Sequence, residues 1–171
     1  KVKFVSYYDS RKLVQERIER DLKRFENNVE DTTLEHADFG RGFEATMRKY
    51  TDLNNKIFAG HRYYSARNYD EDTDLFRDMI PLLKNNNLIF AKHDGKDIGF
   101  VLWYPDYNEL VPPGKGASVL TYIQYKLLGK RPKTAKVVEI GVLSEYRQKC
   151  TVLSLFATAL HECSADTNKI I

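Results

Sequence analysis

The stretch Val137-Val-Glu-Ile-Gly-Val-Leu-Ser-Glu-Tyr-Arg-Gln-Lys-Cys-Thr-Val-Leu-Ser-Leu-Phe-Ala157 decides the fold. Its first part, Lys136 to Leu143, reads as a β-strand, and Ser144 to Lys149 as a short basic turn. An amphipathic helix opens near Cys150. A helix N-terminus presents N–H groups that have no partner within the helix, and its macrodipole is positive there. Arg147 and Lys149 add full charges beside it. A strand that enters a helix through such a turn is a device for holding phosphate.

Outward from this stretch, the chain reads as one globular domain without repeats or low-complexity tracts. Its 171 residues suffice for a sizeable core, and 42% apolar with 30% charged residues is ordinary for a soluble protein. A formal net charge of +3 is too mild to argue for nucleic acid and suits one locally basic pocket. No apolar run approaches the ~18 residues of a membrane span, and the first residues lack the apolar core of a signal peptide. Cys150 and Cys163 stand thirteen residues apart in one helix, hence roughly 20 Å apart along its axis. A disulfide cannot bridge that distance, so two free thiols point to a reducing, cytoplasmic setting.

Upstream, Phe4 to Tyr8 reads as a strand or a leftover edge, and Ser10 to Val29 as a helix with Val14, Ile18, Leu22, Phe25 and Val29 in register. Arg11, Arg17, Arg20 and Arg24 alternate with Glu16, Glu19, Asp21 and Glu26 on that helix, which indicates a solvated face of mixed sign. Thr32 to Phe39 is a candidate strand, and Phe43, Met47, Tyr50 and Ile57 trace a second helix. After a Tyr-rich loop from Gly60 to Asp70, Asp72 or Thr73 caps a third helix that Pro81 kinks or shortens. Leu88 to Lys92 and Ile98 to Tyr104 flank the turn His93-Asp-Gly-Lys96, a strong hairpin signal. Val119 to Leu128 is helical.

Tyr146-Arg147 at the centre of the basic turn resembles the acyl-CoA-binding motif of the GNAT acyltransferase superfamily, in which an apolar strand is followed by Tyr-Arg, a glycine pair and a helix. Asp94-Gly-Lys-Asp-Ile-Gly-Phe100 is similar to the hairpin between the superfamily's second and third strands, and Pro105-Asp-Tyr-Asn108 to an uncharacterised bacterial branch. The order of elements matches from about Thr32 to Thr167, while specific residues match in those two windows only. The resemblance implies an α/β fold with a mixed central sheet flanked by helices. Residues 1–30 then form an N-terminal helical segment and residues 31–171 the GNAT-like domain. Cys150 and Val152 stand where glycines are usual, so the resemblance implies that Cys150 narrows the turn and Val152 crowds it. Asp166 to Ile171 looks like the turn and first residues of a fifth strand, so the cofactor crevice would be half built, unless a partner domain or subunit completes the sheet.

The resemblance further implies acetyl-CoA or another acyl-CoA as co-substrate, with no metal, no nucleic acid and no membrane partner. The acceptor would be a small-molecule or peptide amine. The pantetheine arm would lie along Ile140, Gly141, Val142 and Leu143. The pyrophosphate would sit on Arg147, Gln148, Lys149, Cys150 and Thr151. Glu139 resembles the general base of several members, and it reads equally well as a carboxylate reaching solvent on one sheet face. Tyr104, Asp106 and Asn108 end a strand beside the presumed crevice and are candidates for the acceptor pocket, unless Pro105-Asp106 simply forms a turn. His36, His61, His93 and His161 show no ligand spacing. Three readings remain: an N-acyltransferase, a degenerate domain that binds acyl-CoA or scaffolds a partner without catalysis, and an α/β domain outside the superfamily whose Tyr146-Arg147 turn is incidental.

Overall fold

The structure, a computed structural model, describes residues 7–24, 32–112, 114–116, 118–147 and 150–171. Six strands form one sheet: β1 (Asp9–Ser10), β2 (Thr32–His36), β3 (Leu88–His93), β4 (Lys96–Pro105), β5 (Thr134–Val142) and β6 (Lys169–Ile170). Their order across the sheet is β1-β6-β5-β4-β3-β2. All neighbours run antiparallel except β5 and β6, which are parallel. Helices α1 (Arg11–Arg24) and α5 (Thr151–Glu162) cover one face, and α2 (Phe43–Phe58) and α3 (Tyr69–Met79) the other. Helix α4 (Val119–Lys126) lies in the connection between β4 and β5.

Strand alternation sorts the core. Ile89, Val101 and Trp103 point toward Leu155 and Leu160 of α5, while Phe90, Phe100 and Leu102 point toward Met47 and Tyr50 of α2. Both faces of β3 and β4 are therefore apolar, and both are buried. The β3–β4 turn takes φ 49° at Asp94 and φ 74° at Gly95. Two consecutive positive φ angles are what a two-residue hairpin turn of right-handed twist requires, and Asp-Gly supplies them at least cost.

One irregularity sets up the site. Leu102 faces Glu139 while Trp103 faces Val137, so Val138 is an extra residue on β5. This bulge shifts the alternation by one. Ala135 and Val137, as well as Ile140 and Val142, then point toward α5, and Val138 is left 43% exposed. Glu139 and Ile140 still point to opposite faces, but Val138 does not share the α5 face with Ile140.

Other boundaries differ from the sequence reading for local reasons. The N-terminal strand is Asp9–Ser10, and α1 starts at Arg11; Phe4 to Ser6 and Phe25 to Val29 lie outside the described residues. β2 stops at His36 because the Asp38 carboxylate accepts the N–H groups of Gly40 and Gly42, at 2.8 and 2.9 Å, and bends the chain away. Helix α3 is capped by Asn68, which accepts the Asp70 N–H, and neither Asp72 nor Thr73 caps it. It ends at Met79, two residues before Pro81. Arg11 closes the opposite end of α5: its guanidinium donates to the carbonyls of Leu160, Ser164 and Thr167. Leu160 O belongs to the last turn of α5, where carbonyls lack an intrahelical partner, and Ser164 and Thr167 lie just past the helix end.

Candidate functional site

β5 leads directly to a helix N-terminus. Leu143 leaves the strand with its N–H on Ile98 O, a short turn spans Ser144–Tyr146, and α5 begins at Thr151. Arg147 is exposed, and its Nε donates to Val142 O at 3.3 Å, which holds the guanidinium beside the turn. Cys150 occupies the left-handed region, with φ 58° and ψ 8°. The first turn of α5 carries no acidic side chain. Thr151 Oγ1 is buried there without a partner among the described residues. Gln148 and Lys149 lie outside the described residues. On the strand itself, Ile140 and Val142 pack toward α5 and Leu143 toward α2. At Gly141 a Cβ would come within 2.6 Å of the Ile57 side chain. Glycine is needed there so that β5 and α2 can approach closely.

The parallel neighbour covers only the start of β5. Thr134 and Ala135 pair with Lys169 and Ile170, and Val137 N donates to Ile171 O at 2.8 Å. Among the described residues, no strand pairs with Val138 to Val142 on that side.

Glu139 projects from this segment into a polar cluster under α2. Its Oε2 accepts Tyr50 OH and Asn54 Nδ2, and its Oε1 accepts Arg67 Nη1, each at 2.6 Å. Arg67 also donates from Nε to Asp72 at 2.7 Å, and its guanidinium lies 5.2 Å from the centre of the Tyr50 ring. Asp72 is 4% exposed and accepts the Thr51 hydroxyl at 2.6 Å. Tyr64 reaches Asn54 and Asn55, which ties the Tyr-rich loop to α2. Burial pushes the Tyr50 hydroxyl far above its ordinary pKa, with the Glu139 charge adding to it, so Tyr50 remains a donor. Burial acts against the Arg67 cation, but Tyr50, Glu139 and Asp72 outweigh it, and the net shift of Arg67 is upward. A carboxylate offers about four lone-pair positions. Three are taken at Glu139, which leaves one on Oε1.

Tyr104 lies on the same sheet face as Glu139, stacked on Tyr107 with ring centroids 6.2 Å apart. Burial raises its pKa, so the phenol stays protonated at neutral pH. Asp106 and Asn108 make a turn: Asp106 accepts the Asn108 N–H, donates its own to Thr134 O, and pairs with Lys136 at 3.0 Å. They stand at the start of β5, whereas Arg147 touches its end. Eight residue steps of ~3.3 Å put about 26 Å between those ends.

No family model matches the sequence, and no curated protein matches it. Among solved structures, the loading GNATL domain of CurA from Lyngbya majuscula superposes with a TM-score of 0.52 at 13% identity, over 82% of this chain and 63% of that one. The fold is that of the GNAT acyltransferases. Diaminobutyrate acetyltransferase EctA from Paenibacillus lautus, solved with L-2,4-diaminobutyric acid and coenzyme A, superposes with a TM-score of 0.47 at 13% identity, over 80% of this chain and 60% of that one. This chain thus spans about three fifths of the length of each.

On this GNAT fold, the residues named from sequence fall into two groups. Glu139 to Leu143, Arg147, Cys150 and Thr151 are contiguous along β5 and the start of α5. Asp106 and Asn108 stand at the other end of β5, remote from Arg147 and Cys150. Val152 packs against the core cluster on the α5 face, so its side chain leads away from the turn. Of the Glu139 partners, Asn54 and Arg67 went unnamed in the sequence reading, and Tyr50 was named only as a position on the apolar side of a helix. Tyr50 and Asn54 are four apart on α2, hence on one helix face, but nothing local ties them to residue 139.

Two predictions concern the cysteines. A non-glycine residue in the left-handed region costs roughly 1–2 kcal/mol, while glycine loses more backbone entropy on folding by roughly 0.5–1 kcal/mol. Cys150→Gly is therefore expected to raise stability by about 0.5–1 kcal/mol in urea titration, and a decrease would refute the left-handed assignment. Cys163 is buried, its Sγ lies 3.2 Å from Ala159 O, and burial pushes its thiol pKa up to about 11. Since the thiolate is the reactive form, iodoacetamide near neutral pH is expected to label Cys150 first. Peptide mapping that finds Cys163 modified earlier would refute this.

Proposed function

We propose that this chain binds an acyl-CoA along the exposed edge of β5 and passes the acyl group to an amine. The carrying observation is that an unpaired strand edge, Val138 to Val142, runs straight into a helix N-terminus flanked by Arg147. Unpaired strand N–H and C=O groups take up an extended amide-bearing arm as another strand would. The N–H groups opening α5, the left-handed Cys150 and Arg147 suit the pyrophosphate that follows it. The residues present therefore fit the cofactor, with backbone making most of the contacts.

In this reading the amine nitrogen attacks the thioester carbonyl carbon, an amide bond forms and the C–S bond breaks. The proton lost by the amine ends on the departing thiol. A backbone N–H of β5 donates to the carbonyl oxygen as negative charge develops on it. Glu139 Oε1 accepts a hydrogen bond from the incoming amine, and its three donors hold the carboxylate in place for that contact. Tyr104, protonated and on the same face, is the candidate for contact with the acceptor; Asp106 and Asn108 shape the turn behind it.

The triple engagement of Glu139 favours a second reading, an acyl-CoA-binding domain without catalysis, because only one lone-pair position, on Oε1, is left to meet an incoming amine. Calorimetric titration with coenzyme A, followed by thiol release from acetyl-CoA in the presence of a panel of amines, separates the readings. Binding with amine-dependent thiol release supports transfer, and binding without it supports the second reading. Absence of binding overturns both.

A further inference from the structure

We propose that a polar cavity at the far end of α5 is a second ligand site, shaped for a small zwitterion of the α-amino acid class. The cavity has a volume of about 180 Å³ and lies between the Asn85–Asn87 turn, the end of β4 and the C-terminus of α5. It faces the opposite end of α5 from Cys150. Twelve helical residues span roughly 18 Å, so this site is separate from the proposed coenzyme A turn.

Groups of both characters line it. Lys84 and Arg131 are its cations. Arg131 is held 4.9 Å from the centre of the Tyr125 ring and donates to Tyr125 O. Neither cation has a carboxylate partner among the described residues. Asn86 and Glu162 are its acceptors, joined by Asn86 Nδ2 to Glu162 Oε2 at 2.7 Å, and Glu162 Oε1 lies 3.2 Å from His36 Nε2. Asn86 Oδ1 is buried without a partner. Turning that amide over would set two acceptors against each other, so the orphaned group is an acceptor and calls for a donor. Trp103 Nε1 donates to Asn86 O at 2.7 Å and fixes the segment.

A ligand carboxylate suits the unpaired cations, and a ligand ammonium suits Asn86 Oδ1 beside the Glu162 charge. Both charges would lie on one small molecule, because a cavity of about 180 Å³ suits a single compact ligand. The site would serve with or without coenzyme A binding and acyl transfer elsewhere on the chain.

The test is calorimetric titration of the whole chain with glycine and L-serine, beside propionate and ethylamine, which each carry one of the two charges. Saturable binding of a zwitterion is expected, with both single-charge probes weaker by tenfold or more, as befits loss of a charge-assisted contact. Arg131→Met and the exposed Lys84→Met should each weaken zwitterion binding by a similar factor and leave coenzyme A binding unchanged. Arg147→Ala should leave zwitterion binding unchanged. No saturable binding of either zwitterion, propionate binding as tight as serine, or full affinity in Lys84→Met would each overturn the proposal.

Discussion

Replacing Arg67 with Ala should lower the unfolding free energy by about 2–4 kcal/mol. The guanidinium is the cation between two carboxylates, Asp72 at 2.7 Å and Glu139 at 2.6 Å, and it also donates to Tyr50 OH at 3.0 Å. Removing one partner of a buried pair typically costs about 3–5 kcal/mol, because the other charge is stranded in the interior. The Arg67 side chain keeps 22% of its exposure, so water can reach it and the lower part of that range applies. For a chain of this length each kcal/mol moves the melting temperature by roughly 2–4 °C, and a fall of roughly 4–16 °C is expected. Asp72 is the more deeply buried carboxylate, so Asp72→Asn in the Arg67→Ala background should recover part of the loss, a non-additivity typical of groups in one network. Thermal and urea unfolding of the two single variants and the double variant would show this. A loss below about 1 kcal/mol for Arg67→Ala, or strict additivity, would mean that the cluster is a solvated surface arrangement.

That cluster also marks the boundary of what the sequence could disclose. The β3–β4 hairpin was legible because Asp94-Gly95 and the flanking apolar runs are local signals, and local geometry settles them. The strand, turn and helix from Thr134 to Glu162 were legible for the same reason. So was the GNAT-like order of elements. Arg67 and Glu139 are 72 positions apart, and no periodicity in either segment says that they meet. The bulge at Val138 was equally hidden, since Val-Val-Glu-Ile fits a regular strand until β4 imposes its own register. The start of α3 failed differently. Asn68, Asp70, Asp72 and Thr73 are all plausible caps, and tertiary structure chose among them by sending Asp72 to Arg67 and Thr51. Asp106 shows the same competition, because its carboxylate serves the turn and Lys136.

Replacing Arg147 with Ala should weaken coenzyme A binding by roughly tenfold to a hundredfold while barely changing the affinity for pantetheine, which lacks the nucleotide and its phosphates. The selectivity follows from position. Among the described residues, Arg147 is anchored by one side-chain bond, from Nε to Val142 O at 3.3 Å, and its side chain is exposed beside the start of α5, where its Nη donors can meet an anion. A charge-assisted hydrogen bond contributes about 1.5–3 kcal/mol, which corresponds to that range of dissociation constants. The pantetheine arm would meet the β5 edge through backbone groups, which the substitution leaves in place. Arg147→Lys keeps the charge but loses the planar fork, so an intermediate loss is expected. Raising the salt concentration should narrow the gap between the native chain and Arg147→Ala, because an exposed ion contact is screened. Equal losses for coenzyme A and pantetheine would show that Arg147 supports the end of β5 instead of the phosphates. Unchanged affinity for both would remove the residue from the site.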